Sequence, residues 1–190
     1  ANQLWALFTF VMSFAFFSFV NLLVSKNKAD AIFWNKFLYI GFILLPAFFL
    51  HFIIEIVNIY NEKKTVLSYV YTCAILFIFV LVFTPYFVVD VAPKLSFAYW
   101  TKNGPAYPFY TTYFFAAVSY AIYLLLKSLK GLTGYKREQI KYLLIACAMG
   151  FGGSVSNFLL NYGLPLYPYG FYLVPPALLI VAYAIVRYRL

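Results

Sequence analysis

Residues 37–57 read FLYIGFILLPAFFLHFIIEIV, and this stretch decides the fold. A helix crossing the hydrocarbon core of a bilayer needs about 20 mostly apolar residues. Only His51 and Glu55 are ionisable in this one, and both fall in its last third. In hydrocarbon a backbone must satisfy its own polar groups, so the stretch reads as a transmembrane helix.

The same reading extends outward in both directions. Apolar helices are expected over residues 4–25, 31–60 (around the stretch just quoted), 66–83, 108–126, 140–160 and 169–186. Their apolar centres run to about 17–22 residues, too long for barrel strands of about ten. The fold class is an all-α polytopic transmembrane helix bundle, with six helices visible and a small extracytoplasmic hairpin or lid. It is organised as a single domain over residues 1–190. Hydrophobic residues make up 65% and charged residues 10%, against about 25% charge in a soluble domain. No room remains for a separate soluble catalytic domain. The first run is too long for a cleavable signal peptide, and no basic stretch or small-residue cleavage site frames it.

The net charge of +9 does not point to nucleic acid. The basic residues lie in short connections, where orientation and lipid headgroups account for them. Lys63, Lys64, Lys127, Lys130, Lys136, Arg137, Lys141, Arg187 and Arg189 share one side; Lys26, Lys28, Lys36, Lys94 and Lys102 share the other. Nine against five predicts the first side to be cytoplasmic, with both chain ends there.

Residues 88–107 form the longest outside connection. Residues 87–91 and 95–100 are rich in β-branched and aromatic types, with turn signals at Ala92-Pro93-Lys94 and Asn103-Gly104-Pro105. A hairpin over the outer mouth of the bundle is expected, acting as a lid or resting on the headgroups. Tyr99 and Trp100 lie within it.

Few side chains could carry chemistry. His51 and Glu55 are four apart and share a helix face. An intramembrane charge defaults to a functional hypothesis; the plainer alternative is Glu55 reaching the inner headgroups near Lys63 or Lys64 while a neutral His51 donates one hydrogen bond. Ala146, Gly150, Gly153 and Ser154 form a small-residue stripe suited to close helix packing. The stripe continues into Asn157 and Asn161, which either bond across the contact or line a ligand cavity under the hairpin. Pro175-Pro176 predicts a kink in the last helix, a fixed bend or a route for movement toward Arg187 and Arg189. Trp34 and Tyr39 at the outer boundary, and Trp5 at the inner one, fit interfacial belts. A cavity lined by Phe77, Phe79, Phe114, Phe115 and Tyr120 is a further arrangement that the sequence allows. Cys73 and Cys147 fall inside apolar runs and read as fillers. No catalytic set, metal-ligand cluster, phosphate-binding glycine loop or chromophore-bearing lysine in the last helix is present, so no cofactor or metal is expected.

The end of the chain is more specific. Residues 136–144 read KREQIKYLL and are followed by a glycine-rich helix. Residues 162–170 read YGLPLYPYG, and residues 182–190 read AYAIVRYRL. Together with Leu45-Pro46, His51-Phe52 and Gly104-Pro105, this resembles the seven-helix N-terminal membrane sensor region of bacterial histidine kinases, over essentially the whole chain. The resemblance implies seven helices, with the first visible run matching the family's second and a first helix expected before Ala1. It also implies a cytoplasmic kinase after Leu190, a homodimer formed through those cytoplasmic domains, and residence in the bacterial cytoplasmic (inner) membrane with the C-terminus inside. The expected function is a non-enzymatic sensor or receptor module. It would detect a small apolar or amphipathic ligand, or the state of the bilayer, through His51, Glu55, Asn157, Asn161, Tyr99 and Trp100. It would signal through Pro175, Pro176, Arg187 and Arg189. The alternative is a membrane subunit that scaffolds a larger complex; a transporter lacks a polar path.

Overall fold

The computed structural model describes residues 2–188. The order is α1 (Asn2–Leu23), α2 (Lys28–Ile56), α3 (Tyr60–Phe83), β1 (Val88–Lys94), β2 (Phe97–Asn103), α4 (Tyr107–Ser128), α5 (Gly134–Asn161), a 3-10 turn (Tyr169–Leu173) and α6 (Val174–Tyr188). Among the described residues, six helical segments are long and apolar enough to span a membrane. The chain is an all-α transmembrane bundle carrying one hairpin. Arg189, expected to carry signal, lies outside the described residues.

Several helices run past their apolar runs. Asn27 caps α2 by accepting a bond from the Asp30 amide at 2.9 Å, a standard N-cap role for asparagine. The α2 helix was expected to continue to residue 60, but it stops at Ile56. Asn58 takes a left-handed φ of 59°. The Asn58 amide then bonds the Glu55 carbonyl at 3.0 Å and the Ile59 amide bonds that of Ile54 at 3.1 Å, the Schellman pattern that closes a helix. This frees α3 to begin at Tyr60 rather than 66, with a polar first turn outside the apolar core. α5 likewise extends back to Gly134 through its basic segment.

α2 is the central post. Two-thirds of its most apolar window (67%) is buried, against 17% for α3, which leaves α3 mostly to lipid. α1 lies directly along α2: a Cβ on Gly41 would stand 2.7 Å from that of Ala15. Pro46 sits inside α2 and cannot donate to the Phe42 carbonyl one turn earlier. α4 repairs this. The Tyr110 hydroxyl donates to Phe42 O at 3.4 Å, and that of Tyr113 to Ile43 O at 3.2 Å.

β1 and β2 pair antiparallel, with Val91 opposite Thr101 and Ala92 opposite Trp100. The turn falls at Leu95-Ser96, with Leu95 at φ 52°, not at Ala92-Pro93-Lys94 as expected. Pro93 lies instead where the ladder shifts register between Ala92 and Lys94, since proline cannot donate to a regular ladder. Val88, Val91 and Trp100 are buried. Lys28 at the start of α2 holds Asp90 of β1 at 2.7 Å.

Candidate functional site

A cavity of about 110 Å³ runs between α1, α2, α4, α5 and α6. Its hairpin end is formed by Tyr39, Tyr107 and Asn161, and its opposite end reaches Trp5, Leu143 and Val181. Along α5 the lining from Leu143 to Asn161 covers about 27 Å at roughly 1.5 Å per residue. Phenylalanines and aliphatic side chains make up most of the wall, and among the described residues no Asp, Glu, Lys, Arg or His lines it.

The hairpin end is closed by a hydrogen-bond hub at Asn161. Its Nδ2 donates to the hydroxyls of Tyr107 at 2.7 Å and Tyr39 at 3.2 Å. Its Oδ1 accepts from Trp100 Nε1 at 2.7 Å. Its backbone carbonyl accepts from Asn103 Nδ2 at 2.9 Å, and the Leu160 carbonyl accepts from the Lys94 ammonium. The last carbonyls of a helix have no partner within it, and cations are favourable there. The hairpin thus caps α5 with its own side chains. A second tie, between Asn35 of α2 and Thr101 of β2, is buried and bonded at 3.0 and 3.2 Å.

Two charged groups outside the spans are shifted by this arrangement. The Lys28 ammonium, with the Val91 amide, holds the Asp90 carboxyl below its usual range. Burial lowers the Lys94 ammonium from its ordinary value.

The expected site residues divide into separate places. Asn157 and Asn161 line the cavity, and Trp100 bonds Asn161 directly. Asn157 is nine-tenths buried (9% exposed), and its Oδ1 meets no donor. Tyr99 packs instead among Leu22, Leu38 and Val91 near the start of α2. His51 and Glu55 do not line the cavity. His51 turns toward α3, with Nδ1 3.0 Å from the Tyr71 hydroxyl and its ring stacked on Tyr60. Its Nε2 stands 3.9 Å from Glu55 Oε1. Of the five aromatics suggested as a cavity wall, only Phe114 lines it.

Ala146 and Gly150 line the cavity where α6 approaches, and a Cβ on Gly150 would lie 3.4 Å from that of Ala177. Gly153 meets the 3-10 turn backbone to backbone: a Cβ on Gly170 would fall 1.6 Å from the Gly153 carbonyl oxygen. Ser154 lines the cavity while its hydroxyl donates to Phe151 O at 2.7 Å. Pro175 and Pro176 do not bend a continuous helix. They occupy the first turn of α6, just after the 3-10 segment, where a missing N–H costs nothing. Arg187 ends α6.

Sequence reasoning passed over Tyr39 and Tyr107. Tyr39 was expected in an interfacial belt but is buried (3% exposed), because the hairpin lies over it. Asn35, a polar residue inside an apolar helix, was the available signal for a tie across the bundle.

One family model, described as the N-terminal 7TM region of histidine kinase, matches residues 1–190. No curated protein and no solved structure matches the chain.

Proposed function

We propose, on the premise that this chain belongs to the N-terminal seven-transmembrane region of histidine kinases, that its cavity is the sensory site of that membrane module. The membrane segment itself is non-catalytic and multi-pass. The finer reading places it in a bacterial cytoplasmic membrane, with the hairpin outside and residues 187–190 inside. A small apolar or amphipathic molecule occupies the cavity beneath the hairpin. The signal leaves through α6 into cytoplasmic kinase domains, through which two copies dimerise.

One observation carries this reading: α6 is a wall of the cavity, and the turn that leads into it meets α5 backbone to backbone at Gly170 and Gly153. An occupant that binds two positions of α6 unequally shifts their populations. The contact that such a shift must disturb is Gly153 against Gly170. The small-residue stripe on α5 faces α6 rather than a free surface, which weakens the scaffold alternative.

Gly170→Ala tests the reading in the full-length protein in lipid nanodiscs. The added methyl must displace the 3-10 turn from α5. Basal autophosphorylation is expected to change by roughly fivefold or more, the usual scale of coupling between sites. The milder Gly153→Ala should change it in the same direction. Output equal to wild type in both correctly inserted variants would contradict the reading.

A further inference from the structure

Asn157 is the polar side chain of the cavity that the protein leaves unused. The other amide and the hydroxyls are committed. Asn161, Tyr39 and Tyr107 bond one another, Tyr110 donates to Phe42 O, and Ser154 donates to Phe151 O. Asn157 is nine-tenths buried with an unpartnered Oδ1. A buried amide without a partner is costly. An amide offers one acceptor and two donors, so it suits a head that both gives and takes a hydrogen bond.

The rest of the cavity sets the remaining chemistry. Below Asn157 the wall is apolar as far as Leu143, about 21 Å along α5 at roughly 1.5 Å per residue. Gly150, Ala146 and Ala177 keep that passage free of bulk. Among the described residues no Asp, Glu, Lys, Arg or His lines it, so a charged head would enter hydrocarbon unpaired, at high cost. The cavity also meets a seam between α1 and α6. α1 and α6 both line it, yet among the described residues they do not pack along each other. At the hairpin end Phe171 closes that seam against Phe16 and Phe19; among the described residues no equivalent ring contact bridges it at Met12 or Trp5.

We infer that the cavity takes a single-chain, electrically neutral amphiphile from the bilayer. Its hydrogen-bonding head (a hydroxyl, an amide or a protonated carboxyl) sits at Asn157. Its hydrocarbon tail runs toward Trp5, Leu143 and Val181. This deepens the sensory reading above and rests on it.

The test uses the full-length protein in nanodiscs and a long straight-chain alcohol bearing a diazirine at its tail end. A second probe carries the same tail and diazirine on a trimethylammonium head. After illumination, the alcohol should label peptides containing Trp5, Leu143 or Val181, in competition with untagged alcohol, and the ammonium should not. Asn157→Leu should lower labelling roughly tenfold at sub-saturating alcohol. Met12→Trp, which fills the tail passage from α1 without touching the hub, should block it. Equal labelling by both probes, labelling confined to lipid-facing positions such as Phe10 and Phe79, or indifference to both substitutions would overturn the inference. The two readings fail separately. Site-specific labelling with unchanged autophosphorylation supports the ligand class and sinks the sensory role. Absent labelling, with Gly170→Ala still altering output, sinks the ligand class alone.

Discussion

Asn157 and Asn161 sit four residues apart on one helix and have opposite situations. Asn161 is saturated by the hairpin and two tyrosines, whereas Asn157 has an orphan acceptor. Removing the latter should relieve the fold. Asn157→Leu is predicted to stabilise the protein by about 1–3 kcal/mol, the cost of an unsatisfied buried polar group, and so to raise the thermal midpoint in detergent. A lowered midpoint would mean that Asn157 is paired. Asp90 behaves differently. Its carboxyl is held below the usual range in the folded protein. Its contribution is therefore full above the unfolded value of about 3.9 and fades as pH falls through the folded value. Asp90→Asn should loosen the hairpin at neutral pH, seen as a lower thermal transition in tryptophan fluorescence. The gap to wild type should narrow as pH falls below the ordinary carboxyl range and through the lowered folded value; a gap that widens on acidification would contradict the Lys28 pairing. At this scale the sequence was partly legible. Spacing put Asn157 and Asn161 on one face. The hub tyrosines were hidden because each lies on a different helix and tyrosine occurs 19 times. His51 and Glu55 drew attention as rare intramembrane charges, but helix spacing says which residues share a face, not which neighbour the face meets.

The helices were visible as apolar runs because lipid demands apolar length, and their polar ends were not. α3 and α5 begin with turns that hydropathy assigns to loops. What ends or begins them is local chemistry: the left-handed Asn58, the Asn27 cap, and prolines in the first turn of α6. Pro46 shows the converse. Its missing donor inside α2 is compensated by hydroxyls from α4, a tertiary repair that sequence does not display. The hairpin was legible from its β-prone residues, though its turn was misplaced because Pro93 marks an irregular pairing. Its base depends on Gly104, where an added Cβ would stand 2.1 Å from the Tyr86 carbonyl oxygen. Backbone at that distance cannot move aside cheaply. Gly104→Ala should open the base, and amide exchange at Val91 and Thr101 should quicken while α2 and α4 stay protected. Unchanged exchange in the hairpin would show that its base tolerates the side chain.

Across the whole molecule, the account joins one end of the bundle to the other. The hairpin clasps the ends of α2 and α5, the cavity lies beneath it, and α6 runs from the 3-10 turn beside the hairpin to Arg187 at the opposite end. Lys127 in the last turn of α4 and Lys130 in the α4–α5 connection lie at that same opposite end. Composition and run length were enough to place the chain in a membrane, and the charge balance set its expected direction. A cavity under the hairpin beside Asn157 and Asn161 was one alternative the sequence left open; its other walls were beyond reach, because they arise from how five helices leave space between them. The central claim is that stimulus and output lie on opposite faces of the membrane. Single cysteines at Lys102, in the hairpin, and at Lys130 test it when treated with a membrane-impermeant maleimide. In intact spheroplasts the account predicts labelling at Lys102→Cys alone, with Lys130→Cys reacting only after the membrane is opened. Labelling of Lys130→Cys from outside, or of both positions together, would contradict it.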